Sequence, residues 1–205
     1  MLEELEKLLD FIQKEYIELN QKWEATEYYS KINLKDNLVC NLLEDKLILN
    51  MIVSYREFIN ENNIQLLMDF KQFNTDNAKI NMRVKTKNSI EYKIKNYTLY
   101  HAEGKVPINK CFNDLFGMRI IFNKDITYSQ ILSLTNKEKY KKLKCIDSSK
   151  GEYKATHIYF KKDKYSFPWE LQVWNKKDEE NNIISHEKYK QDYVKWENEN
   201  RGENE

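Results

Sequence analysis

A chain of 205 residues, 40% of them hydrophobic and with only 4 Gly and 2 Pro, can build one buried core but has little material for linkers. No apolar run approaches the roughly 20 residues of a membrane-spanning helix, and the acidic start Met1-Leu-Glu-Glu lacks a signal peptide's layout. Three widely spaced cysteines, Cys40, Cys111 and Cys145, fit neither a disulfide framework nor a Cys-rich zinc site, so a reduced, cytoplasmic protein is expected, with no membrane partner.

The net charge of +1 conceals a division. Residues 1–78 carry 8 basic against 15 acidic side chains, residues 79–164 carry 20 against 8, and residues 165–205 carry 6 against 10. Positive charge is thus confined to the middle, which suits a polyanion such as nucleotide phosphate or nucleic acid. Solvated lysine faces account for the same composition equally well.

In chain order, Leu2, Leu5, Leu9, Ile12, Tyr16 and Leu19 recur at helical spacing. Leu34 to Leu49 repeats that pattern, and a third helix is predicted between Ile52 and Phe70. The first 78 residues therefore read as a helical segment packed on something else, with no chemistry assigned to it. The character changes near Asn77. Ile80–Lys85 alternates as a strand, and Asn88-Ser-Ile-Glu91 has the form of a capping box opening a helix that runs to about His101. Gly117–Phe122 is a short apolar strand, Thr127–Glu138 suits a helix, and Tyr140–Ile146 suits a strand. Tyr153–Phe160 and Pro168–Trp174 both alternate. A polar helix follows from about Asp178, fraying after Trp196, with a disordered tail over 199–205. The fold class expected is α/β (α+β): one domain with a mixed five-stranded sheet, its core spanning 79–198, flanked by helices at both ends.

Four constellations carry chemistry. In Arg83-x-Lys85-x3-Ser89-x3-Lys93, strand alternation turns Arg83 and Lys85 the same way, and helical spacing puts Ser89 and Lys93 on one face beside a helix N-terminus. Three cations, a hydroxyl and free backbone N–H groups can cradle a polyphosphate, although a Lys-rich exposed strand and helix has the same spelling. In Asn113-Asp-Leu-Phe-Gly-Met-Arg119, Asp114 at the rim of a sheet is placed for a hard cation such as Mg²⁺, or simply forms a turn. In Lys150-Gly-Glu-Tyr-Lys-Ala-Thr-His157, Tyr153 and His157 share a face and can stack on a base and meet phosphate, or serve the core. In Pro168-Trp-Glu-Leu-Gln-Val-Trp174, Glu170 and Gln172 project together while Leu171 and Val173 turn inward; Glu170 can complete a metal site with Asp114 or act as general base.

In order and spacing the set resembles the synthetase domain of the RelA/SpoT family, including the small alarmone synthetases. That family shows R-x-K-x3-S-x3-K, D-(L/I)-x-G-(I/M)-R, G-Y-R-(A/S)-x-H and E-(I/L)-Q, and a later H-x-x-Y-K is matched by His186-Glu-Lys-Tyr-Lys190. The match spans roughly residues 80–190. The resemblance implies a nucleotidyltransferase-like fold and a pyrophosphokinase that moves the β,γ-diphosphate of ATP onto a ribose 3′-hydroxyl. By the same resemblance Arg83, Lys85, Ser89 and Lys93 hold ATP, and Asp114 and Glu170 bind Mg²⁺ as the catalytic carboxylates. Tyr153, His157, Gln172 and Arg119 serve the acceptor.

Two departures bear on the acceptor. Alarmone-making relatives usually continue E-(I/V)-Q-(I/L)-R-T, whereas this chain reads Glu170-Leu-Gln-Val-Trp174-Asn175, and their Gly-Tyr-Arg is replaced by Gly151-Glu152-Tyr153-Lys154. Loss of an arginine fork weakens a clamp on a compact diphosphate. The Trp-Glu-Leu-Gln-Val-Trp texture resembles the toxin-type members, which modify the 3′-CCA end of tRNA and are neutralised by a cognate antitoxin protein. Lys137, Lys139, Lys141, Lys142 and Lys144 would then guide an RNA backbone. The alternatives are an alarmone synthetase acting on a guanosine or adenosine nucleotide, and a silent nucleotide- or RNA-binding module. Only His101, His157 and His186 are present, so a His-Asp hydrolase site is not expected.

Overall fold

The computed structural model of the protein describes residues 1–187, the Leu43 side chain excepted. The end of the expected C-terminal helix, Tyr189 and Lys190 of the His186 motif, and the 199–205 tail lie outside the described residues. Helix α1 (Leu2–Glu24) buries Leu5, Leu9, Ile12, Tyr16 and Leu19, the stripe its sequence period predicts. Helix α2 (Lys46–Phe70) differs from expectation: it is one helix where two were read. Asp45 caps it, accepting from the backbone N–H groups of Leu47 and Ile48, and so fixes its start. Before that cap, Leu34 and Leu42 are buried from irregular chain and a short 3₁₀ turn (Val39–Leu43), so their helical spacing reflects burial without helix.

Five strands follow among the described residues, β1 (Ala78–Val84), β2 (Phe116–Phe122), β3 (Lys144–Asp147), β4 (Thr156–Phe160) and β5 (Trp169–Asn175). They form one mixed sheet in the order β1-β2-β5-β4-β3, in which only β2 and β5 run parallel. Helix α3 (Lys87–Tyr100) joins β1 to the short α4 (Ile108–Cys111). Its cap is Thr86, whose side chain accepts from the Ser89 N–H, so the expected Asn88–Glu91 box does not form. Helix α5 (Tyr128–Thr135) has a true capping box, Thr127 with Gln130, and ends before Glu138. The alternation read from Tyr153 becomes strand only at Thr156, because Lys150–Tyr153 is a turn whose Gly151 takes a φ of +59°, a conformation glycine adopts without strain. Residues 179–187 are helical, here α6.

Side chains alternate across β5, and one face becomes the core. Trp169, Leu171 and Val173 face α1 and α2. Tyr55 stacks on Phe167 at 4.7 Å and its hydroxyl accepts from Trp169 Nε1 at 2.9 Å; Tyr16 donates to the Phe167 carbonyl at 3.0 Å. The N-terminal helices share one apolar core with the sheet and brace β5 from behind. The opposite face is left for polar residues.

Candidate active site

The strand register lays two polar rows across that open face. One runs Arg83, Gly117, Glu170, Tyr159; the next runs Asn81, Arg119, Gln172, His157. Beyond them Ile121, Ala155 and Trp174 form a small apolar cluster against which Tyr153 packs.

Glu170 is 6% exposed, and both oxygens of its carboxylate are hydrogen-bonded, Oε2 to a single donor. Its Oε1 accepts from the Tyr159 hydroxyl at 2.9 Å and lies 3.1 Å from His157 Nδ1; its Oε2 accepts from Gln172 Nε2 at 2.8 Å. A proton on Nδ1 satisfies the imidazole, whose Nε2 then accepts the Tyr153 hydroxyl at 2.9 Å. Gln172 Oε1 in turn accepts from Arg119 Nε and Nη2, both at 3.2 Å. Burial raises the Glu170 carboxyl, but the hydrogen bond and attraction of His157, helped by Gln172, outweigh it and hold the group below its ordinary value. The Tyr153 hydroxyl is pushed up to about 12 by burial and stays protonated.

Asp114, two residues before β2, forms a second focus. Lys85 Nζ stands 2.6 Å from one carboxylate oxygen and Lys93 Nζ 3.0 Å from the other. Burial raises Asp114, but the two ammoniums overcome it and place its carboxyl well below the usual range. Burial pulls Lys85 down despite Asp114; it also opposes the Lys93 charge, but the attraction and hydrogen bond of Asp114, together with Cys111 and Tyr97, lift Lys93 on balance. The Asp114 charge also reaches Glu170, which it pushes upward.

Between the rows and α6 lies a cleft of about 240 Å³, walled by Arg83, Arg119, Glu170 and Gln172 and roofed by Ile183 and His186. Asn182 holds the roof, its amide both accepting from the Lys154 N–H at 2.7 Å and donating to the Lys154 carbonyl at 2.9 Å. His186 is pulled down to about 4 by burial and then by Arg119 and Arg83, so it is neutral at pH 7.

The residues expected to hold ATP divide. Arg83 lies exposed along the cleft, Lys85 and Lys93 hold Asp114, and Ser89 sits at the start of α3 with its Oγ accepting from the Thr86 hydroxyl at 2.8 Å. Glu170, Gln172, Arg119, His157 and Tyr153 form one continuous network, as their shared face requires. Tyr153 is half-buried, edge-on to His157, Trp174 and His186. Tyr159 and Asn182 escaped the sequence reading. Alternation on β4 puts Tyr159 on the face of His157, a usable signal; nothing local marks Asn182. The lysine run also reads differently. Lys137 pairs with Glu6, Lys139 with Glu6 and Asp10, and Lys141 with Glu138, so three of its five charges are already matched, two of them by α1.

Among the described residues no three His, Cys, Asp or Glu side chains form a metal cluster, and no helix is long and apolar enough to cross a membrane. Asp114 with Glu170 fits the smaller demand of Mg²⁺, which takes one or two carboxylates and completes its shell with phosphate and water. Both carboxylates are held ionised, and each Asp114 oxygen keeps a lone pair beyond the one its lysine uses.

No protein-family model matches the sequence, and no curated protein matches it. Solved structures do. The small alarmone synthetase 1 from Bacillus subtilis superposes with a TM-score of 0.43 at 17% identity, covering 73% of this chain and 82% of that one. The same enzyme bound to its product pppGpp gives 0.41 at 19% identity, covering 72% and 83%. The small alarmone synthetase 2 from the same organism gives 0.40 at 15%, covering 69% and 79%. These likenesses are shallow in sequence and in superposition. What the cleft does has to come from its own residues.

Proposed function

We propose that the cleft transfers the β,γ-diphosphate of ATP to the ribose 3′-hydroxyl of a purine nucleotide. The observation that carries this reading is Glu170: a buried, ionised carboxylate facing a cleft, with Arg83 and Arg119 lining the cleft beside it and an aspartate holding two lysines close enough to act on its charge. Buried carboxylates of that kind suit proton abstraction from a hydroxyl, and the surrounding cations suit a polyphosphate.

In the proposed step the acceptor 3′-oxygen attacks the β-phosphorus, the α–β bridging P–O bond breaks, and AMP departs with that bridging oxygen. Glu170 takes the hydroxyl proton, while His157, Tyr159 and Gln172 keep its carboxylate in one orientation. Lys85 and Lys93, gathered by Asp114, and Arg83 offset the phosphate charge. Asp114 and Glu170 would hold Mg²⁺, whose chemistry is to neutralise charge on the β- and γ-phosphate oxygens. Positioning and charge neutralisation supply most of the acceleration in such transfers.

A nucleotide acceptor is preferred over the tRNA 3′ end because the lysine run that would track an RNA backbone is largely paired with acidic side chains. The test is ATP labelled in its γ-phosphate, with Mg²⁺ and, separately, GDP, GTP, AMP and deacylated tRNA. Label on a nucleotide supports this reading. Label on tRNA alone restores the toxin-type reading and its antitoxin partner, and no transfer with any acceptor removes the enzymatic reading.

A further inference from the structure

Asn182 has no part in the transfer step above, yet it is 0% exposed and commits both ends of its amide to one residue. Its Oδ1 accepts from the Lys154 N–H and its Nδ2 donates to the Lys154 carbonyl. The backbone there explains the need. Tyr153 exchanges both of its main-chain hydrogen bonds with Lys150, and the Ala155 carbonyl accepts from the Ser148 N–H, so these two residues face the β3 side. Lys154 between them faces the opposite way. No strand partner meets it there, because the ladder of β4 with β5 begins at Thr156 and Val173. A buried side-chain amide takes the place of a strand, and both main-chain groups of Lys154 are paired.

The residue before Lys154 reaches the site. The Tyr153 hydroxyl donates to His157 Nε2 at 2.9 Å. His157 Nδ1 lies 3.1 Å from Glu170 Oε1 and 3.2 Å from the Tyr159 hydroxyl oxygen. The Tyr159 proton is already given to Glu170, so both oxygens facing Nδ1 are acceptors and Nδ1 has to carry the hydrogen. The bond from Tyr153 onto Nε2 selects that tautomer. With the hydrogen on Nε2 instead, a bare Nδ1 lone pair would face the carboxylate and turn it away. His186, four residues beyond Asn182 and on the same face of α6, meets the Tyr153 ring edge-on at 5.4 Å. We infer that Asn182 is a positioning residue for the general base. By holding the Lys154 backbone it keeps the Tyr153 hydroxyl on His157 Nε2, and so keeps His157 in the tautomer that aims Glu170 at the acceptor hydroxyl. Its effect on rate rests on the transfer reading above; its effect on His157 does not.

The test compares Asn182→Ala and Tyr153→Phe, singly and together, by steady-state kinetics with whichever acceptor takes label. Histidine side-chain ¹H–¹⁵N NMR of the free protein, with His101 and His186 assigned by substitution, is the second readout. Each single variant should lower kcat about tenfold, the worth of one well-made hydrogen bond, with KM for ATP unchanged. The double variant should be no slower than the worse single one, because both act through His157. The His157 signal should move from the Nδ1–H form toward a mixture of tautomers in Asn182→Ala. Asn182→Asp keeps the shape and the acceptor but turns an oxygen toward the Lys154 carbonyl; it should reproduce part of the loss, and carries the test should Asn182→Ala not fold. Multiplying losses in the double variant, or an unchanged His157 tautomer, would confine Asn182 to holding the roof and overturn the inference. A tautomer shift in a protein that transfers nothing keeps the link from Asn182 to His157 and removes the transferase reading.

Discussion

Replacing Asp114 by Asn leaves Lys85 and Lys93 facing an uncharged amide from side chains that are only 13% and 19% exposed. At an effective dielectric near 20, contacts of 2.6 and 3.0 Å attract by about 6 and 5.5 kcal/mol. Desolvation of three ions, at several kcal/mol each, consumes most of that in the intact protein. In the variant the lysines keep their burial and lose their compensation, so the expected loss is about 3–5 kcal/mol. Urea unfolding followed by circular dichroism at pH 7 reads this as a midpoint lowered by about 1.5–2.5 M for a slope near 2 kcal/mol/M. Adding Lys85→Met should recover part of the loss, because it removes a cation already pulled down by burial. The pH dependence has a definite sign. The Asp114 carboxyl is held far below its unfolded value, so its contribution is complete above about pH 4 and disappears as pH falls toward the folded value. The gap between wild type and Asp114→Asn should be level from pH 8 to 5 and close below 4. A loss under about 1 kcal/mol would refute the reasoning, since it would mean that solvent screens the lysines as at an open surface.

Glu170→Gln should reduce diphosphate transfer more than about 100-fold, as loss of a general base does, with ATP affinity by equilibrium dialysis without Mg²⁺ unchanged. Tyr159→Phe removes one charge-assisted hydrogen bond to Glu170 and should lower kcat about tenfold with little change in KM; an equal change in both would argue for a merely structural hydroxyl. His186 has a folded value near 4 against an ordinary 6.5, so its neutral form stabilises the fold above pH 6.5 and that share is lost as pH falls toward 4. His186→Phe should therefore flatten the urea midpoint between pH 7 and 4.5. Lys137→Ala with Lys139→Ala should leave nucleotide transfer unchanged, because those ammoniums pair with Glu6 and Asp10 of α1; a lower rate would put an acceptor contact there.

Strand alternation made the site legible where it held. Glu170 and Gln172 share a face because a strand side-chain period is two, and the same rule brings Arg119 and His157 beside them. The five-stranded sheet followed from short alternating runs separated by turns. Legibility failed where burial imitated periodicity: Leu34 and Leu42 are core residues without a helix, and Asp45, a cap with no apolar signal, starts α2. It failed again for partners distant in sequence. That Lys85 and Lys93 serve Asp114, and that the lysine run meets the acidic face of α1, depends on how segments pack, which local spacing does not encode. Arg119 lying on Trp174 joins two strands 55 residues apart in the chain for the same reason.

The one parallel pairing in the sheet has a kinetic consequence. β2 and β5 can lie side by side only once the intervening chain, which carries α5, β3 and β4, has returned, a crossover that parallel strands cannot avoid. Asp114 and Glu170 are 56 residues apart, and closing such a loop costs roughly 3–4 kcal/mol of chain entropy before any contact across it forms. Neither half of the site can assemble early on its own, since one carboxylate precedes the crossover and the other follows it. On refolding from urea, catalysis should return only with the slowest phase, the one in which β5 inserts between β2 and β4, while most helical signal is recovered earlier. An intermediate that holds its helices but lacks the central strand would be unable to spend ATP.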